Sequence, residues 1–144
     1  MDNQMKSRLA AKSLEVSLTV ANLESSVQWY CDVLGFQIKH RYARGDTPFA
    51  VSLEAGNVQI LLTRDDGSKG LNRSKGEGFS LQITTEQDID TLAEQARSAG
   101  AVLDTEPVEI FPGKRVFRLR DPDGYRIAVS SNPPDGANIH RVRE

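Results

Sequence analysis

Two parts of the sequence lie over one another. The alternating segment EVSLTVA (15–21) matches GFSLQIT (78–84), and VSLEAGNVQILL (51–62) matches FRLRDPDGYRIAV (117–129) with a slightly longer turn in the second copy. An internal repeat of a whole supersecondary unit constrains the fold more than composition can. Each copy must offer one apolar sheet face to its own helix, and the copies must share a core. The opposite sheet face is then free to curl around something.

The first copy reads as βαβββ. Leu14, Val16, Leu18 and Val20 are apolar between the polar Glu15, Ser17 and Thr19, the pattern of a half-buried strand over 14–20. Asn22 caps a helix from Leu23 whose stripe is Leu23, Val27, Tyr30, Cys31 and Leu34, and Gly35 supplies the left-handed stop. Strands are predicted over 36–42, 49–53 and 58–63, the last two joined by a turn at Ala55, Gly56 and Asn57.

A polar, glycine-punctuated stretch over 64–77 reads as a linker, and then the pattern restarts. Phe79, Leu81 and Ile83 alternate with Ser80, Gln82 and Thr84; Thr85 is the expected cap of a helix with the stripe Ile89, Leu92, Ala93, Ala96 and Ala99, closed by Gly100. Strands are predicted over 101–104, 115–120 and 125–130. The turn between the last two is DPDG, with Pro122 presetting φ and Gly124 taking the left-handed position. The expected organisation is a flexible N-terminus (1–13), one domain of two modules (14–63 and 78–131) and a non-periodic tail (132–144).

The alternation assigns Glu15, Ser17, Thr19, Gln59, Leu61 and Thr63 to the face away from the first helix. Gly78, Ser80, Gln82, Val116, Arg118, Arg126, Ala128 and Ser130 fall on the corresponding face of the second half. These residues are mostly polar or small, as the wall of a groove requires. Sliding the register by one residue would put Val16 and Phe79 there instead, so hydrophobicity fixes the assignment.

Charge narrows the partners. Eighteen Lys and Arg against twenty Asp and Glu leave a formal charge of −2 with the signs interspersed, which gives no electrostatic reason to expect nucleic acid or an anionic membrane. No run reaches the roughly 20 apolar residues of a membrane span. The single Cys31 cannot form an internal disulfide, so a reducing cytoplasm is the expected compartment.

The segments VANLESSVQWYCDVLGF (20–36), GFSLQITTEQDIDTLAEQARSAGA (78–101) and FRLRDPDGYRIAV (117–129) together resemble the vicinal oxygen chelate superfamily of glyoxalase I, bleomycin-resistance proteins and extradiol dioxygenases. The resemblance covers about residues 14 to 131 and implies an α+β fold in which two βαβββ modules form a half-barrel cup with the helices outside. In the metal-dependent members it implies four strand positions supplying His, Gln or Glu to a divalent ion that grips two adjacent substrate oxygens. Those positions fall here on Glu15, Leu61, Gly78 and Ala128, and the ending DPDGYKIE of the metal-dependent members reads DPDGYRIA. Three of the four side chains have no donor atom, so no metal and no other cofactor is expected. His40 lies in the third element and His140 in the tail, away from the site.

Six residues are candidate ligand contacts. Glu15 reads as a remnant ligand, a general base or an acceptor for a ligand's amine or hydroxyl, against the plain alternative of a solvated carboxylate. Arg118 and Arg126 share one face across the DPDG turn and can hold a carboxylate or phosphate, with Arg118 expected to sit deeper. Gln59 and Gln82 can each donate and accept. Phe111, in IFPG, is either an aromatic that closes over the ligand at the rim or a buried loop anchor. Trp29 and Tyr30 read as core and interface residues rather than ligand contacts. Cys31, with no basic sequence neighbour, is not an expected nucleophile.

The expectation is a metal-free binder of a polar small molecule, of the resistance or sequestration type. A lyase or dioxygenase similar to glyoxalase I, working with a shifted metal site or by acid–base chemistry at Glu15, is the competing class. A specificity or scaffold subunit is a third. A homodimer is expected because the sheet edges and the aromatic helix segment 28–30 leave surface to cover.

Overall fold

The computed structural model describes residues 7–70 and 73–132; the expected tail, apart from Asn132, and the first six residues lie outside them. Module one runs β1 (Glu15–Val20), α1 (Leu23–Leu34), β2 (Gln37–Arg44), β3 (Thr47–Ala55) and β4 (Val58–Arg64). Module two runs β5 (Ser80–Thr85), α2 (Ile89–Ser98), β6 (Leu103–Phe111), β7 (Lys114–Arg120) and β8 (Arg126–Ser131). This is the expected α+β fold of two βαβββ modules.

The two sheets have matching topology, β1-β4-β3-β2 and β5-β8-β7-β6. β1 runs parallel to β4 and β5 parallel to β8, because each crossover passes through a helix and two antiparallel hairpins. In both sheets the register puts the apolar set on the helix side. Leu18, Val20, Val51, Leu53, Ile60 and Leu62 pack in module one, and Leu81, Phe117, Leu119, Ile127 and Val129 in module two, as parts of one continuous core. No strand of one sheet pairs with a strand of the other among the described residues. The modules meet through α1 against α2 and through a polar cluster around the DPDG turn.

That cluster follows from burying polar groups, each of which needs a partner. Tyr30 of α1 is fully buried and donates its hydroxyl to Asp121 Oδ2 at 2.8 Å, while Asp121 Oδ1 accepts the backbone N–H groups of Asp123 and Tyr125 at 2.9 Å. In the other direction the Tyr125 hydroxyl donates to the carbonyl of Thr19, and Asp123 accepts from the Ala21 N–H, both at 2.9 Å. Tyr30 therefore belongs to the module junction and leaves nothing exposed to pair with a second copy; of the helix segment 28–30 the exposed Gln28 and the half-buried Trp29 remain for the expected homodimer.

The stretch read as a plain linker contributes to the same junction. Lys75 Nζ lies 3.0 Å from Asp65 Oδ2 and 3.1 Å from Asp123 Oδ1, with all three side chains almost wholly covered. Burial pushes the Lys75 pKa down, but its hydrogen bonds and charge contacts with the two carboxylates outweigh that and hold it above the usual lysine value. The Gly67 N–H and Lys75 hold Asp65 below the usual carboxylate range.

Several boundaries differ from expectation. The cap of α2 is Asp88, whose carboxylate accepts from the Thr91 N–H at 2.9 Å, not Thr85, which instead accepts from Gln87 N–H in a turn just before the helix. A cap sits immediately before the first helical residue, and that residue is Ile89. Ala99 is the exposed C-cap rather than part of the apolar stripe, and Gly100 takes the left-handed conformation after it. β6 begins at Leu103 and runs to Phe111, far beyond the expected 101–104, because register shifts let the strand absorb Pro107. β8 starts at Arg126 rather than Tyr125, whose ring closes over Phe79.

Candidate functional site

The residues away from the helices form two separate polar faces. On module one, Glu15 stands opposite Gln59 and Ser17 opposite Leu61, with Ser52 and Glu54 of β3 in the same rows. Glu15 is exposed, and its Oε2 accepts a 3.0 Å hydrogen bond from the Ser52 hydroxyl. Gln59 is half-buried beside it.

On module two the ladder places Gln82, Ala128 and Arg118 in one row and Ser80, Arg126 and Arg120 in the next. These residues, with Gly78 and Asp104, surround a recess of about 390 Å³ to which no residue of module one contributes. Its floor is the buried Ala128. Gln82 donates from Nε2 to the Ser80 hydroxyl at 2.9 Å, and Arg120 donates from Nε to Asp104 Oδ2 at 2.9 Å. Neither Arg118 nor Arg126 has an ion-pair partner among the described residues, and both are exposed.

Of the six residues singled out from the sequence, Gln82, Arg118 and Arg126 are thus brought together, while Glu15 and Gln59 form a second group on the other module. Phe111 joins neither. It is buried at the end of the β6–β7 hairpin opposite Lys114, which matches the loop-anchor alternative. Arg120 was missed, although it follows Arg118 by two positions and so points to the same face. Burial raises the pKa of Cys31, with Asp32 adding to the shift, which leaves the thiol unactivated. Among the described residues no group of three or more His, Cys, Asp or Glu is arranged to hold a metal ion.

A second, larger groove of about 1100 Å³ lies on the helix side, between the C-terminal end of α1, the β3–β4 turn and α2. Its floor includes Phe117 and Val129, which belong to the shared core, so it is a seam between the modules. No helix among the described residues is long and apolar enough to cross a membrane.

Comparison with known proteins places this geometry. Residues 12–129 match the family model described as Glyoxalase/Bleomycin resistance protein/Dioxygenase superfamily. A probable lactoylglutathione lyase of Synechocystis sp. is 31% identical over 122 residues, covering 81% of this chain and 92% of that protein. A manganese-dependent 2,3-dihydroxybiphenyl 1,2-dioxygenase of Geobacillus genomosp. 3 is 27% identical over 83% of this chain, which spans only 36% of that enzyme's length. Among solved structures, a glyoxalase/bleomycin resistance protein/dioxygenase from Alicyclobacillus acidocaldarius superposes with a TM-score of 0.68 at 18% identity, covering 90% of this chain and 97% of the other. At that identity the superposition speaks for the fold alone.

Proposed function

The chain belongs to the Glyoxalase/Bleomycin resistance protein/Dioxygenase superfamily, and from that premise we propose that it binds a polar small molecule against the polar face of module two, as a resistance or sequestration protein. The observation that carries this reading is the recess itself, with three guanidinium groups around the buried Ala128. By the resemblance to the metal-dependent members, the four ligand positions fall on Glu15, Leu61, Gly78 and Ala128. One carboxylate, already accepting from Ser52, does not make a coordination sphere of four to six donors. The residues at these four positions do not fit a divalent ion.

Among the described residues the module-two recess takes no lining from module one, and a homodimer that sets module one of one copy over module two of the other would bring Glu15 and Gln59 opposite Arg118 and Arg126. The exposed Ile38 and Tyr42 on edge strand β2 and Val108 on edge strand β6 offer apolar surface for such pairing. With its one cysteine half-buried and unpaired, the protein suits a reducing cytoplasm.

The 31% identity to a probable lactoylglutathione lyase favours a second reading, lyase activity with Glu15 as the acid–base group. Three measurements decide. Metal analysis of protein purified without a metal-binding tag should find well under one equivalent per chain; a tightly held equivalent of Ni, Zn, Fe or Mn overturns the metal-free reading. Lactoylglutathione lyase activity, abolished by Glu15→Gln, would establish the second reading. Light scattering should report a mass near twice 15.9 kDa, and a single-chain mass rejects the shared site.

A further inference from the structure

We propose that the module-two recess is a dianion site in which Arg118 and Arg126 each bind oxygens of one doubly charged ligand, with Arg120 and Asp104 holding the positive wall in position. The inference rests on the binding reading above and names the ligand class for it.

Three arginines and one acid, Asp104, line the recess. Asp104 is committed to Arg120 at 2.9 Å, which leaves two guanidinium charges without a counter-ion among the described residues. Arg120 and Arg126 are also register partners, and like charges directly opposite across a ladder repel. An anion seated beside them replaces that repulsion with attraction. A monoanion neutralises one of the two free charges and leaves the other facing its neighbour, whereas a dianion matches both.

Both line one recess. Arg118 flanks Ala128 directly and Arg126 precedes it by two positions on the same strand face, so both stand next to a residue with only a methyl group to fill the recess. A guanidinium fork pairs best with the coplanar oxygens of a carboxylate or phosphoryl group. Across the floor, the Ser80 hydroxyl and the Gln82 amide offer further hydrogen bonds to a polar ligand. The same net positive wall disfavours a divalent cation in this recess, which agrees with the lack of donors at Gly78 and Ala128.

Calorimetric titration at fixed low salt and pH 8 tests this with inorganic phosphate and succinate as dianions and acetate as monoanion. Phosphate, succinate or both should bind at least about tenfold more tightly than acetate, the lower end of what one charge-assisted hydrogen bond contributes. Arg118→Ala and Arg126→Ala should each weaken dianion binding by at least that factor without lowering Tm. Arg118→Lys, which keeps the charge and loses the fork, should fall between the parent and Arg118→Ala. Acetate binding as well as the dianions, or unchanged affinity in both alanine variants, overturns the proposal. If a neutral sugar or an amine shifts the amide NMR signals of Ser80 and Ala128 and no dianion does, the dianion inference fails while the binding reading stands. If no compound of any charge shifts those signals, both fail.

Discussion

Tyr30→Phe isolates the contact that ties the two modules together. The substitution keeps the ring, which is fully buried and stacked edge-on between Trp29 and Phe36, and removes only the hydroxyl that donates to Asp121 at 2.8 Å. Asp121 keeps its two backbone donors from Asp123 and Tyr125 but loses a partner on its second oxygen. Hydrogen bonds to charged groups contribute about 1.5–3 kcal/mol, so the variant should be less stable by about that much at pH 7. The pH dependence is the sharper test. Burial, with the Asp121 charge and hydrogen bond adding to it, holds the Tyr30 pKa far above the ordinary tyrosine value of 10.0, so the folded protein keeps the phenol protonated while the unfolded chain ionises it. This contribution is present below pH 10 and is lost as pH rises further, at about 1.4 kcal/mol per pH unit. The variant has no such group, so the gap between the two proteins should close above pH 10. Asp121 acts at the other end. Burial raises its pKa, against the hydrogen bonds that lower it, Tyr30's foremost. Without Tyr30 the folded variant protonates Asp121 at higher pH than the parent, so acid also narrows the gap. Urea unfolding of both proteins across pH 4 to 11 checks this. A gap that stays constant, or one below about 0.5 kcal/mol at pH 7, refutes the assignment of Tyr30 and Asp121 as a coupled buried pair.

Lys75→Met should lower Tm more than disrupting either exposed pair, Arg41–Glu24 or Arg97–Glu94, because it leaves Asp65 and Asp123 covered without their shared cation; thermal scans of the three variants decide. Gly76→Ala should cost about 1–3 kcal/mol in chemical denaturation, since a Cβ there would lie 2.8 Å from Tyr125 Cδ1 at a φ of +74°; wild-type stability would mean that Tyr125 moves aside freely. Asp88→Ala should lower Tm more than Thr85→Ala, because Asp88 holds the Thr91 N–H while Thr85 serves only the preceding turn; equal effects would return the cap to the sequence expectation.

The topology was legible because it needs only local information repeated twice. Alternation at Glu15–Val20 and again at Ser80–Thr85 marks the first strand of each module, and Asn22 and Gly35 bracket α1 where they were expected to. β6 was less legible. Pro107 and the run of carboxylates at Asp104, Glu106 and Glu109 lack the look of a strand, and its pairing with β7 comes from an edge position that tolerates a missing N–H and bulges in register. Part of the site was hidden for another reason: Asp104 lies within the expected strand 101–104, but only the pairing of β6 with β7 brings it alongside Arg120 at the recess.

The relation between the modules was beyond reach for a different reason. Alternation says which side of its own sheet a residue faces, but it carries nothing about where one sheet stands relative to another. In the α1 stripe Tyr30 reads as one more apolar residue beside Val27 and Leu34, although a buried tyrosine must find an acceptor for its hydroxyl. That demand is a real sequence signal: a tyrosine in the middle of an apolar stripe announces an incoming polar group. What it does not reveal is the donor's destination, which is a carboxylate 91 residues away in the turn read only as a chain reversal. The DPDG turn therefore does two jobs. Gly124, with φ of +93°, reverses the chain, while Asp121 and Asp123 anchor the turn to α1 and the end of β1. Because those contacts fix how β8 is presented, they also set the direction in which Arg126, which opens that strand, meets the recess. The carboxylates that join the modules and a guanidinium that lines the recess thus stand at the two ends of one short segment.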